Sequence, residues 1–286
     1  MESKLVYFLK NKKVIILLLL VTALIFFCFD EHIERYNRQR YGVAKGVKLE
    51  GLLVEGLFEK ELYELIEQIA PEIEYPLRNA YIDRETSQVV KEVVGKKIHY
   101  THTVENILAA KPDSRVSLVI IDIDPVLTSN LVKSLNRSIG YFHTYLGGGG
   151  GGRVNNIIRG AQLINYSIIP PGEIFSFNET VGPVTRERGF AYAPIISGGQ
   201  VVPGIGGGLC QVASTLYNAV LEAELEVIER TPHSRPVGYV PRGKDATVSG
   251  HIDFKFRNNT GKFILLESSG AGYKIAVTIF TSKKSY

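Results

Sequence analysis

The chain has 286 residues, 45% hydrophobic and 22% charged, which is ordinary for a globular protein and enough for one large or two small packed domains. Its net charge is only +4 and its basic residues are dispersed, which excludes a nucleic-acid footprint and leaves a slight attraction to anionic polymers or lipid head groups. Two cysteines, Cys28 and Cys210, exclude a disulfide framework and a thiolate metal site.

Lys4, Lys10, Lys12 and Lys13 precede an uncharged apolar run from Val14 to Phe29, which Asp30-Glu31 ends. A basic flank of this kind favours a cytoplasmic N-terminus with the remainder outside. No small-x-small cleavage pattern precedes Asp30, so residues 1–30 are expected to stay as a membrane anchor, with a cleaved signal peptide as the alternative. Cys28 then lies in the membrane, and Cys210 is an unpaired thiol in an oxidising compartment, either used or deeply buried.

Residues 31–45 are polar and suit a stalk or a short juxtamembrane helix. Two alternating strand-like pieces follow between Val47 and Leu57, separated by glycine. Leu62, Leu65, Ile66 and Ile69 mark one face of a helix from Lys60 to Ala70. Further strands are expected at 79–83 and 116–121 and a helix at 127–139, giving an α+β domain over 46–140. Six consecutive glycines, Gly147 to Gly152, read as a flexible linker within 141–152.

The second domain, 153–286, opens with a helix from Arg153 to Tyr166 that Pro170-Pro171 keeps from continuing. A strand at 173–178, a hairpin around Gly198-Gly199, and tail strands at 252–256, 263–267 and 273–280 predict helices on a mostly antiparallel sheet, with Asn258-Asn259-Thr260-Gly261 as a hairpin turn. The overall expectation is an α+β fold.

Residues 199–248 concentrate the chemistry. Gly206-Gly207-Gly208 lets the backbone come close to a ligand or another segment, and helical spacing from Gln211 to Ala223 places Cys210 at a helix N-terminus. The partial positive charge there favours a thiolate. His233 follows a short strand as a candidate base, and Asp245, opening a second strand, as its orienter. This arrangement resembles that of papain-like cysteine enzymes. The alternative is a buried structural cysteine, a satisfied histidine and an aspartate that caps a turn. His233 and His251 lack ligand spacing, so neither a metal nor another cofactor is expected.

Pro171-Gly172-Glu173 with Phe175-Ser176-Phe177-Asn178, Val181-Gly182-Pro183, Gly206 to Val212, Ser214 to Asn218, Glu229-Arg230, His233-Ser234 and Asp245 to Val248 together resemble the signature of the VanW-like family. The resemblance covers residues 140–281 and implies a cell-envelope setting more firmly than a reaction, so that Cys210, His233 and Asp245 stand as catalytic candidates on their chemistry and spacing alone. Within its motifs Gly207, Gly208, Gln211, Arg230 and Ser234 are candidate substrate contacts. Gly46-Val47 through Gly56-Leu57, Asn79-Ala80, Asp83 and Val94-Gly95 resemble, more loosely, the peptidoglycan-binding domain that often precedes such a module. The glycine run departs from the more varied polar loop of that family.

Three functions are open on this reading: a cysteine-dependent enzyme acting on amide or peptide bonds of peptidoglycan, a non-catalytic wall-binding module, and an accessory protein of wall assembly or glycopeptide resistance. The expected partners are peptidoglycan or its precursors and the membrane, with no nucleic acid. The sequence sets no oligomeric state.

Overall fold

The computed structural model describes residues 2–147, 150–197 and 200–283, with side chains from Ile16 onward except at Leu18, Ser197 and Ala271. In chain order these form α1 (Glu2–Tyr41), β1 (Lys48–Leu49), β2 (Leu52–Leu53), α2 (Glu59–Ile69), a 3-10 turn, β3 (Tyr81–Ile82), β4 (Val89–Val90), β5 (Gly95–Ile98) and α3 (Tyr100–Leu108). Next come β6 (Arg115–Val116), β7 (Ile120–Ile123), α4 (Ser129–Ser134), β8 (Leu135–Tyr145), α5 (Gly150–Ile164), β9 (Ser167–Ile169), β10 (Ile174–Ser176), α6 (Phe177–Val181), β11 (Tyr192–Ser197) and β12 (Gln200–Ile205). The chain ends with α7 (Leu209–Glu222), β13 (Glu226–Glu229), β14 (Lys255–Arg257), β15 (Ile264–Ala271) and β16 (Lys274–Ser282).

Contacts divide the chain into two units, Met1–Arg78 with Val94–Asp124, and Asn79–Val93 with Pro125–Tyr286. In the first unit, β1 pairs antiparallel with β2 and parallel with β6, while β5 pairs with β7. Leu49, Leu62, Ile66, Val104 and Ile107 form its core. The helix α1 continues to Tyr41, so most of the 31–45 stretch, expected as a stalk or a short juxtamembrane helix, is helical. Near its end Arg38 forms a two-pronged bond to Glu61 of α2, at 2.8 and 2.9 Å. The sequence reading did not anticipate α3, which His99 caps by accepting from His102 N at 3.3 Å.

The expected membrane anchor is not shown: among the described residues no helix is long and apolar enough to cross a membrane. The apolar run Val14 to Phe29 lies partly outside the described side chains. Those described are exposed, Leu24 at 64% and Phe26 at 70%.

In the second unit β8, β16, β15 and β9 form an antiparallel four-stranded sheet, in that order. Ile264, Leu266, Ile275, Val277 and Ile279 on its inner face pack with Ile157, Ala161 and Ile164 of α5 and Val212, Leu216 and Val220 of α7. The helix α7 has no charge before Glu222 and is buried on nearly every side, as expected of a helix apolar all round. A second sheet, β10-β14-β13, and the separate ribbons β11-β12 and β3-β4 complete the sheets of the unit.

Three expectations differ from this picture. The helix expected at 127–139 stops at Ser134, because beyond Leu135 the chain alternates with period two and pairs with β16 over its length. The glycine run therefore lies inside the second unit rather than between domains, and Gly150 to Gly152 begin α5; Gly148 and Gly149 lie outside the described residues, as do Gly198 and Gly199 of the expected hairpin. The turn at 258–261 joins strands of different sheets and makes no hairpin. Its Asn258 is fully buried and donates to Ile169 O, Pro170 O and Lys262 O, filling the seam between the sheets.

Candidate functional site

After β12 the chain turns through Gly206-Gly207-Gly208 into α7. Gly208 takes φ +112°, a left-handed value that favours glycine. At Gly207 an added Cβ would stand 2.4 Å from Pro194 O, so β11 and the turn lie backbone against backbone. Asn156 of α5, fully buried, pins both feet of the ribbon: its Oδ1 accepts from Ala191 N at 2.7 Å, and its Nδ2 donates to Ala191 O and Gly207 O.

Cys210 is the second residue of α7, as expected, but its electrostatics run opposite to expectation. Burial pushes the thiol up, and the Asp245 charge adds to this, while the N–H groups of Val248 and of Cys210 itself pull it down by less. The half-charge at a helix end is too small to offset loss of solvation. The Sγ donates to Val248 O at 3.4 Å and accepts from Val248 N at 3.5 Å.

His233 follows β13, and its Nδ1 lies 2.7 Å from Asp245 Oδ2, with its backbone N–H donating to the same oxygen at 2.5 Å. Asp245 opens no strand. One bridge, Thr231 to Thr247, joins the two segments instead. Arg230 Nη2 and Gly243 N donate to Oδ1 at 3.1 and 3.3 Å. Burial works against ionisation of Asp245, yet the His233 bonds and charge outweigh it and hold the carboxyl below the usual carboxylate range. An ionised Asp245 makes Nδ1 the protonated nitrogen and leaves Nε2 as the basic one. Cys210 and His233 line one cavity of about 1090 Å³, and no hydrogen bond joins them.

Residues 152–280 match the family described as VanW like protein. The chain carries a VanW-like domain. It is 37% identical to YoaR of Bacillus subtilis over 199 residues, 68% of this chain and 66% of that protein. It is 32% identical to the vancomycin B-type resistance protein VanW of Enterococcus faecalis over 114 residues, 38% of this chain and 42% of that protein. The chain thus spans about two thirds of the first relative's length and less than half of the second's. No solved structure matches it.

The VanW-like domain starts after β8, yet β8 supplies an edge strand of its sheet and holds the site from behind. Gln211, expected to touch substrate, is fully buried: Nε2 donates to Thr144 Oγ1 at 2.9 Å and Tyr145 O at 2.8 Å, and Oε1 accepts from Arg153. Its amide is thus engaged within the domain. Arg230, also expected at the substrate, lies against Asp245 and over the Tyr217 ring at 5.1 Å, where it orients the aspartate. Gly207 and Gly208 line the cavity, though packing within the chain accounts for their lack of a side chain. Ser234 is exposed at its rim.

Sequence reasoning missed Arg153, Tyr239 and Thr247, all on the cavity wall. Burial lowers the pKa of Arg153. Burial first, then the nearby Cys210, raises that of Tyr239 strongly. An arginine in the first turn of a helix with an apolar face was the one signal that could have marked Arg153. Among the described residues no cluster of histidine, cysteine and carboxylate groups could hold a metal ion.

Proposed function

We propose that this is a membrane-anchored, extracytoplasmic cell-envelope protein whose cavity receives a peptide of peptidoglycan and whose Cys210 cleaves or transfers at an amide bond. One observation carries the reading: a histidine locked by a buried, ionised aspartate lines the same cavity as a free thiol. The envelope setting draws on the name of the Enterococcus relative. The anchor draws on the basic flank, the apolar run and the unbroken helix α1.

In the free protein the thiol stays protonated. On substrate binding, His233 Nε2 takes the proton of Cys210 as the sulfur forms a bond to the carbonyl carbon. The C–N bond then breaks, the same proton passes from His233 to the leaving amine, and water or a second amine releases the acyl group from sulfur. Apo sites often hold such pairs apart until substrate closes them.

The test is digestion of purified peptidoglycan by the full chain in detergent, with products read by mass spectrometry. Cys210→Ala should abolish products at an unchanged melting curve, and His233→Ala should slow them by about 10²–10⁴-fold. Products that persist in Cys210→Ala would remove the catalytic reading. The bonds of Sγ to Val248 favour a second reading, a wall-binding module in which Cys210 stitches α7 to the 245–248 segment. Binding without products, and a lowered melting point in Cys210→Ala, would select it.

A further inference from the structure

Arg153 touches the chain on both sides of Cys210. Its stem packs against the glycine turn two residues before the cysteine, where a Cβ added at Gly208 would stand 3.2 Å from Arg153 Cγ. Its Nη2 donates to Oε1 of Gln211, the residue after the cysteine, and its Nη1 donates to Leu146 O. The Tyr239 phenol is acted on by Cys210 and by the Arg153 charge together, so guanidinium, phenol and sulfur lie close to one another on the cavity wall. The bonds to Gln211 and Leu146 orient the guanidinium, and an arginine keeps its charge at any working pH.

Charge then decides what the cavity receives. Among its described lining residues no Asp, Glu or Lys occurs, and Arg153 is the one permanent charge. His233 adds a second positive charge whenever it is protonated. Asp245, which holds His233, is matched by Arg230 at 3.1 Å. A cation is repelled by such a wall. A carboxylate gains a charge-assisted hydrogen bond from a planar donor already held in place, and the aliphatic remainder of its carrier meets Val181, Val184, Ile195 and Ile252. One guanidinium matches one negative charge, which favours a carboxylate over a phosphate dianion. We propose that the cavity takes a peptide ending in a free carboxylate, and that Arg153 receives this group and so sets an amide near the peptide's carboxyl end beside Cys210.

The inference deepens the proposed function and rests on the cavity being the substrate site. It is tested with the full chain in detergent by calorimetry, using N-acetyl-trialanine as the free acid and as its amide. The parent should bind the acid about tenfold more tightly than the amide. Arg153→Met should bind the two alike and Arg153→Lys should keep part of the preference, with the fold of each variant checked by its melting curve. Equal binding of acid and amide by the parent, a comparison that needs no variant, overturns the proposal. So does an unchanged preference in Arg153→Met, no binding of either probe, or displacement of the acid by an equal concentration of inorganic phosphate. Preference for the acid supports the proposal even where peptidoglycan yields no products, a result that removes only the cysteine chemistry. Products without that preference keep the chemistry and remove the role of Arg153.

Discussion

Four donors converge on the Asp245 carboxylate, two from His233, one from Arg230 and one from Gly243. Through them a buried charge fixes the imidazole, while Cys210, on the same cavity, is left neutral by its own burial. The sign of the pH dependence follows. A thiol whose pKa is raised on folding is favoured in its protonated form, so its contribution to stability is complete below the unfolded value of about 8.5 and is lost as pH rises through the folded value. In a Cys28→Ser background, iodoacetamide should label native Cys210 more slowly than the urea-unfolded chain at pH 7, with the native rate still climbing above pH 9. A native rate that levels off below pH 8 would show a thiolate the geometry does not support. Cysteine, histidine and aspartate were legible as residue types in order; the direction of the thiol's shift was not, since burial depends on segments far away in the chain.

Two elements hold the site from behind. At Gly140 of β8 an added Cβ would stand 2.3 Å from Ala219 O of α7, so strand and helix touch through backbone. The Gln211 amide ties the same helix to Thr144 and Tyr145 of β8. Gly140→Ala should therefore cost about 1–3 kcal/mol in urea unfolding by forcing the two apart. Gly238→Ala, where a Cβ meets nothing within 4 Å, should stay within about 0.5 kcal/mol. Similar losses in both would contradict so close a contact. The helices α2, α5 and α7 were legible because their apolar residues recur at helical spacing. The start of β8 was not, since Leu131, Val132, Leu135 and Ile139 fit a helix as well as the strand that pairing with β16 imposes.

At the scale of the molecule, two cores form around 43–118 and 146–279, and the chain crosses from one unit to the other more than once. Residues 79–93 belong with the second unit although 94–124 belong with the first. A fragment of residues 153–286 would lack β8 and expose the edge of β16 and one face of α7. It should melt lower, and less sharply, than a fragment of residues 125–286, as followed by circular dichroism. Equal melting would mean that the VanW-like domain is complete without its preceding strand.

By itself the sequence determined the apolar N-terminal run, the single cysteine beyond it, the order of the site's residues and the VanW-like motifs, because these are local in the chain. Only the tertiary structure decided that Gln211 and Arg230 turn inward, that the glycine run sits inside a unit, that Asn258 joins two sheets, and that Thr247 carries an unpaired hydroxyl. Each of these depends on what lies opposite a side chain across a distance of tens of residues, and partners so far apart leave no periodic trace in the sequence.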